Sequence, residues 1–494
     1  MHVKQRLLEG FTFIFGGRLG SGILTVTITP IIVRVLGSGG YGDYAFALAV
    51  YTTLRTVSGG GIYEGARKYI AESAETSHRS DVVRYYLNIA IIFGGTIAFG
   101  LAAVTYLFIG TILLEPRLRT YLFLVAILVL LHPFFYVVRS TLMGYELERY
   151  SEPLVVIDKV ILAVVGVSLA YSGLHVAGLL TGHIVALVTI IVLGGVAIYR
   201  HTDVAIRRSC LFVSQLSDIY ESRMFRYSVL TILFVSLTKS LYTVDIILLQ
   251  PFTGSQEVGY YRAALVVAEF LWFVPYAIQV VLLHSTSRLW AENRLEEIDT
   301  IASTITRYTL ALTGLMAILL VAVGDSFIPI YFGAEFSISY VPMLLLLPGV
   351  ICFALARPIY AIGQGHGNIK LLVISTGIAA MVNLVLNLLL IPRYGMYGAA
   401  VATSIGYASM IMLHTRAAHV LGFHPLRNIR IFRVGIPIVV SLGLLMYLDS
   451  LIPAGGLSLL AIIPIGIVVF GILVVVSGGI TREEINELRS MAGA

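Results

Sequence analysis

The stretch VLGSGGYGDYA, residues 35–45, decides the fold. It holds Gly37, Gly39 and Gly42 in the spacing G-x-G-x-x-G, follows the run ITPIIV, and has Glu64 downstream. On paper that is a dinucleotide fingerprint, which requires a strand before the glycines and a soluble crossover helix after them. Neither flank supplies this. The apolar segment beginning at Phe11 and the one beginning at Gly42 are each long enough to cross a bilayer as a helix. The glycines read instead as a tight outer turn between two spans, where Gly accepts φ > 0.

The rest of the chain supports that choice. Of 494 residues, 58% are hydrophobic and only 12% charged, against about 25% charged in soluble domains. Mean hydropathy is +0.92. The sequence predicts an all-α polytopic membrane protein with about fourteen transmembrane helices. The first two run over 11–35 and 42–64, a later pair over 153–172 and 176–199, and another over 370–391 and 396–414. With the N-terminus inside, about twenty-two Lys and Arg fall in inner loops, and only Arg117, Arg119 and Arg393 in outer ones. Both termini are therefore expected to be cytoplasmic, in a multi-pass protein of the cell membrane. MHVKQRLLEG is a basic start without a small-residue cleavage site, so no removable signal peptide is expected. Cys210 and Cys352 define no disulfide framework, and no metal motif, cofactor site or nucleic-acid surface stands out.

An internal repeat organises the spans. YGDYAFALAV at 41–50 aligns with VGYYRAALVV at 258–267, pairing Gly42 with Gly259, Tyr44 with Tyr261 and Leu48 with Leu265 at an offset of 217. Arg139 and Arg357 are offset by 218. In the second copy the three-glycine spacing is gone, and only one Gly and the Tyr are read as retained. This predicts two pseudo-symmetric six-helix lobes in the same orientation, with a site between them. Residues 1–200 form the N-terminal lobe, 201–227 a cytoplasmic linker and 228–420 the C-terminal lobe. Residues 421–494 hold two extra helices and a tail, TREEINELRS, read as a short solvated helix.

Charges inside spans are the functional signal, because each costs roughly 2.5–3.5 kcal/mol at the centre of a lipid-facing helix. Arg18, Arg55 and Lys239 lie deep in spans, Arg139 and Arg357 occupy equivalent places in the two copies, and Arg262 lies near a span end where it can snorkel. Asp245 and Glu269 are the acids at comparable positions, candidates for ion or proton coupling. Bases outnumber acids, so the set reads as a net-positive wet cavity suited to a phosphate or pyrophosphate, whose oxygens match the Arg fork. Buried ion pairs, such as Lys239 with Asp245 or Glu269, are the competing reading. Asn383 and Asn387, at i and i+4, are expected to hydrogen-bond a neighbouring helix, and His132 beside Pro133 to mark a kink.

VLGSGGYGDYAFAL, GARKYIAE, STLMGYELERY, VGYYRAA, IYFGAEFSISYVPML and MVNLVLNLLLIPRYGMYGAAVATSI occur in an order and spacing that cover nearly the whole chain. Together they resemble the polysaccharide-transporter, Wzx-like oligosaccharide flippase branch of the multidrug/oligosaccharidyl-lipid/polysaccharide (MOP) superfamily. The resemblance implies movement of undecaprenyl- or dolichyl-linked oligosaccharides from the cytoplasmic to the outer leaflet by alternating access. Na+ or H+ is an implied coupling ion. It also implies basic residues in the first, second and eighth spans, and Arg18, Arg55 and Arg262 match by region. Two alternatives stay open. An ion-coupled multidrug exporter of the same superfamily is expected to have twelve spans and an acidic site. A membrane glycosyltransferase or polymerase is expected to carry acidic catalytic residues, yet no D-x-D occurs and the longest outer loop, about 325–338, offers few candidates.

Overall fold

A computed structural model describes residues 2–59, 61–108, 116–204, 218–452 and 455–486. It is helical throughout, with no strand among the described residues. Eleven helical stretches are long and apolar enough to cross a membrane. Three of these, Gly20–Ala71, Glu148–His201 and Ile369–Leu421, run through 52, 54 and 53 residues, too long for one crossing of about 20. Each is broken where the sequence places a turn between spans: at Gly37 (φ 66°), at Gly173 (φ 101°) and at Gly395 (φ 54°). A residue with a Cβ is strained at such φ, so Gly is the residue that lets the helix break without a loop. Of the three glycines in the opening motif, only Gly37 does this.

The chain divides into two compact units, Met1–Gly259 and Tyr260–Ala494. In the first, helix α1 (His2–Gly59) packs on α4 (Pro116–Gly144), α5 (Glu148–Ile161) and α8 (Asp218–Thr253). Helix α2 (Ile62–Ala71) lies against α3 (Thr76–Phe108) and α4, where Tyr69, Ile70, Val82 and Tyr86 form a buried cluster. Between α5 and α7 (His175–His201) lie two π-helical turns, Leu162–Gly166 and Ala170–Leu174, on either side of the short helix α6 (Val167–Leu169). There the backbone of Gly182 meets that of Gly166, the close approach that folds this pair into a hairpin.

The second unit holds most of α9 (Ser255–Glu269) and all of α10 (Phe273–Ala291), α11 (Leu295–Phe332), α12 (Tyr340–Gly365) and α13 (Ile369–Leu421). The two C-terminal helices α14 (Ile431–Leu451) and α15 (Gly456–Val476) pack on α11 through Ile318, Val323, Val434, Leu445, Ile462 and Phe470. Large apolar side chains such as Phe99, Phe432 and Val476 are more than three-quarters exposed. That is the surface expected of helices solvated by lipid.

Several sequence expectations are corrected. The outer connection read as a loop at 325–338 is helical to Phe332, followed by a short 3₁₀ turn, Ala334–Ser339. The described part of the tail, 481–486, is helical and partly exposed as expected, but it is anchored at Thr481 and Glu484. Thr481 and Glu484 form a reciprocal capping box, with Thr481 N–H donating to Glu484 Oε2 at 2.9 Å and Glu484 N–H to Thr481 Oγ1 at 3.3 Å. The second oxygen of Glu484 accepts from the buried guanidinium of Arg307. Finally, the second repeat keeps more of the opening motif than one Gly and the Tyr. Gly254, at offset 217 from Gly37, also has positive φ, 81°.

Candidate functional site

In the first unit the buried polar groups gather on one face of α1 beyond its break. Tyr44 and Tyr51 are seven residues apart and so point the same way. The Tyr44 hydroxyl lies 2.8 Å from His183 Nε2, and the Tyr51 hydroxyl 2.6 Å from His132 Nδ1. His132 is thus held by a partner rather than marking a kink, and α4 is continuous past Pro133. Arg55, one turn beyond Tyr51, lays its guanidinium 5.3 Å from that ring's centroid. Its Nε is buried with no hydrogen-bond partner, and no ion pair to Arg55 occurs among the described residues. The charges of Arg55 and Lys159 reach both His132 and His183, and Asp158, paired to Lys159 at 3.0 Å, reaches His183. The Lys239 ammonium sits 5.3 Å from the Tyr242 ring centroid. Asp245 is fully buried, with Oδ1 accepting from Ile246 N–H at 2.8 Å. Arg18 is on α1, but its side chain lies outside the described residues.

Arg139 is placed differently. Its Nη2 is 2.8 Å from Glu152 Oε1, and its guanidinium lies 5.1 Å from the Tyr63 ring centroid. Glu152 is buried against Gly17, where a Cβ would come within 3.1 Å of Oε2. A glycine of the FGGRLGSG stretch therefore makes room for the acid that neutralises Arg139. The sequence signal for this acid was slight: one Glu in SEP at the start of a span.

In the second unit Arg357 donates to Gln279 Oε1 at 2.9 Å. It also lies 4.9, 5.6 and 4.8 Å from the ring centroids of Trp272, Tyr276 and Phe353. The repeat-equivalent arginines thus sit in unlike settings, one against a carboxylate and one in an aromatic cage with a neutral amide. Arg262 is partly buried on α9. Glu269 Oε1 is 3.5 Å from the Tyr407 hydroxyl, which is at the limit of a hydrogen bond. Asn383 donates to Ala402 O and Thr403 Oγ1, each at 3.4 Å, as expected for a residue tying two helices. Asn387 is fully buried, and neither atom of its carboxamide has a partner among the described residues. Also among the described residues, no cluster of His, Cys, Asp and Glu has the makings of a metal site. Outside the spans, burial pushes the Glu484 carboxyl up. The Thr481 N–H and the Arg307 guanidinium outweigh this and hold it below the ordinary carboxylate value.

The chain and its all-helical fold have relatives. Residues 7–280 match the model of the family described as "Polysaccharide biosynthesis protein". The chain belongs to that family. It is 27% identical over 252 residues to an uncharacterized membrane protein of Methanocaldococcus jannaschii, MJ1068, covering 50% of this chain and 48% of that one. It is 27% identical over 177 residues to the "Probable low-salt glycan biosynthesis flippase Agl15" of Haloferax volcanii, covering 35% and 36%. The chain therefore spans about half or less of the length of these relatives. Among solved structures it is similar to the lipid II flippase MurJ in an inward closed conformation, with a TM-score of 0.74 and 16% identity, over 93% of this chain and 97% of that one. It is also similar to an inward-facing multidrug resistance MATE family transporter, with a TM-score of 0.67 and 14% identity, over 81% and 94%. At such identities the likeness is one of fold.

Proposed function

We propose that this protein is a flippase that moves a polyprenyl-phosphate- or pyrophosphate-linked oligosaccharide from the cytoplasmic to the outer leaflet by alternating access, with both termini cytoplasmic. The observation that carries the reading is Arg55. A guanidinium inside a span, with its Nε buried and no ion pair among the described residues, is costly in a membrane, and an anionic head group passing it would supply the missing charge through paired hydrogen bonds. Family membership and the relative named as a glycan-biosynthesis flippase support the same cargo class. Lys239 in the first unit, and Arg262 and Arg357 in the second, remain candidates for contact with the same anionic cargo, as does Arg18 from its place in the sequence, whereas Arg139 is paired with Glu152. Asp245 and Glu269 are the candidate sites for a coupling Na+ or H+. The polyprenyl tail stays in lipid, and the protein acts as a transporter rather than an enzyme. The two-repeat organisation proposed from sequence, 1–200 and 228–420 with a linker and two added helices, frames this cycle.

The test is a flip assay in proteoliposomes, reading sugar exposure with an impermeant glycosidase. Parent protein should expose the sugar, and Arg55→Ala should not, while remaining folded. Normal movement by Arg55→Ala removes Arg55 from the mechanism. The MATE-like fold favours a second reading, export of a cationic drug. Protein-dependent cation movement that survives or improves in Arg55→Ala would select it, since Arg55 repels such a cargo.

A further inference from the structure

Helices α9 and α10 leave one mixed stripe uncovered. On α9, Ala263, Ala264, Leu265, Val267 and Ala268 are buried, while Arg262, Val266 and Glu269 are partly exposed. Phe273 and Tyr276 on α10 continue the stripe at 63% and 49% exposure. From Arg262 to Tyr276 the intervals are four, three, four and three residues, which keeps these side chains on one side of a helix. All of them lie in the second unit. Glu269 comes fourteen residues after Ser255, the first residue of α9, which is about 21 Å along the axis. A carboxylate that deep, on a stripe shared with a guanidinium, excludes lipid as the natural cover, because charges on a lipid-facing helix are expensive.

The stripe is backed by a rigid cluster. The rings of Trp272, Phe353 and Tyr407 have centroids 4.9 to 5.2 Å apart. The Tyr407 hydroxyl reaches Glu269 Oε1 at 3.5 Å. On the other side of the cluster the Arg357 guanidinium lies 4.9 Å from the Trp272 centroid and 5.6 Å from that of Tyr276. Arg357 Nη1 and the Tyr360 hydroxyl both donate to Gln279 Oε1 at 2.9 Å. A fixed polar edge therefore stands beside the exposed Tyr276 ring, and a carboxylate stands one turn before the exposed Phe273 ring.

We propose that this stripe is a saccharide-binding track: Phe273 and Tyr276 are platforms for pyranose rings of the cargo, and Glu269, Gln279 and Arg357 pair with the sugar hydroxyls. The proposal rests on the flippase reading and assigns the glycan part of the cargo, where Arg55 is assigned the phosphate. A pyranose has a face of C–H groups and a rim of hydroxyls. Its C–H face packs on the negative face of an aromatic ring. Its hydroxyls donate to a carboxylate or amide oxygen and accept from a guanidinium. A polyprenyl chain has no hydroxyl rim and a phosphate has no apolar face, so neither uses both halves of the stripe.

The experiment titrates full-length protein by calorimetry, in a detergent without a sugar head group and against micelle blanks. The probes are farnesyl pyrophosphate and its esters with glucose, galactose and N-acetylglucosamine. At least one ester should bind about tenfold tighter than farnesyl pyrophosphate, the scale of two stacked rings. Phe273→Leu with Tyr276→Leu should erase that gain and leave the binding of farnesyl pyrophosphate unchanged. Phe273→Tyr with Tyr276→Phe should keep the gain, because each position keeps a ring. Arg55→Ala should weaken every probe and preserve the ratio between them. A gain that survives in the folded leucine variant, or no gain from any of the three esters, overturns the track and leaves the flippase reading standing. Parent protein that binds none of the four probes sinks the flippase reading and the track with it. Binding of tetraphenylphosphonium in place of the sugar esters, lost in the leucine variant, assigns the stripe to aromatic cations and also overturns the proposal.

Discussion

Glu152→Gln isolates what the Arg139 pair does for the first unit. The two charges are 2.8 Å apart, with side chains 20% and 2% exposed. At an effective dielectric of about 20, such a separation corresponds to roughly 6 kcal/mol of attraction. The solvent reached by Arg139 screens part of it, and the glutamine amide keeps one acceptor in place. Breaking a buried pair from one side is expected to cost about 3 kcal/mol, because the guanidinium stays behind uncompensated. For a unit of this size, with about 2–3 °C lost per kcal/mol, the unfolding midpoint should fall by about 6–9 °C. Both tryptophans, Trp272 and Trp290, lie in the second unit. Calorimetry in detergent is therefore the assay, since tryptophan emission would report the wrong half. Arg139→Met with Glu152→Leu should recover most of the loss, since an apolar pair of similar volume carries no desolvation penalty. A Glu152→Gln midpoint within about 1 °C of the parent would refute the reasoning and return Arg139 to the candidate cargo-binding set.

The tail contact between Arg307 and Glu484 is pH-sensitive in a defined direction. The Glu484 carboxyl is held below its ordinary value of 4.5, so its contribution is full above that value and fades as pH falls through the lower folded value. Protection of the Thr481–Glu484 amides, measured relative to their intrinsic exchange rates, should fall as pH drops below the ordinary carboxylate value of 4.5, and Glu484→Gln should show low protection already at pH 7. Gly182→Val should disrupt the hairpin at Gly166 and lower the yield of folded protein in detergent gel filtration, whereas Gly195→Val, with open space around it, should not. Asn387→Leu removes a buried amide without a partner among the described residues and should raise the unfolding midpoint, because an unpaired polar group costs about 1–3 kcal/mol. A fall instead means that something outside the protein chain satisfies that carboxamide. Asp245→Asn should remove any dependence of glycan movement on an imposed Na+ or pH gradient, and an unchanged dependence takes Asp245 out of coupling.

The spans were legible because a bilayer demands apolar runs of about twenty residues and the sequence obeys. The turns at Gly37, Gly173 and Gly395 were legible for the same reason. What hydropathy cannot see is a helix continuing past the slab. Leu295–Phe332 runs to 38 residues, well beyond the twenty or so that one crossing needs, since backbone hydrogen bonding persists where side chains turn polar. Within the site, single charges were visible and their partners were not. Arg139 stood out in an apolar run, but Glu152 sat where a loop was read, and only the packing of α5 on α1 and α4 brings it close. Tyr44 and Tyr51 counted as apolar, so their histidine partners went unnoticed. Asp43, paired with Arg117 at 2.9 Å, was hidden inside what looked like turn punctuation.

Gly42 and Gly259, 217 residues apart, each come up against a serine carbonyl of the other's stretch: a Cβ on Gly42 would strike Ser255 O, and one on Gly259 would strike Ser38 O. A half-length chain associating with a copy of itself about a two-fold axis would make this contact twice, using one sequence. In such a chain any substitution at the glycine would strike both sides at once, and fusion into one chain would lift the constraint of identity but not that of contact. At the offset of 217, Gly39 and Gly40 correspond to Gln256 and Glu257, whereas Ser38 and Gly42 correspond to Ser255 and Gly259. What the two stretches share is what the contact needs.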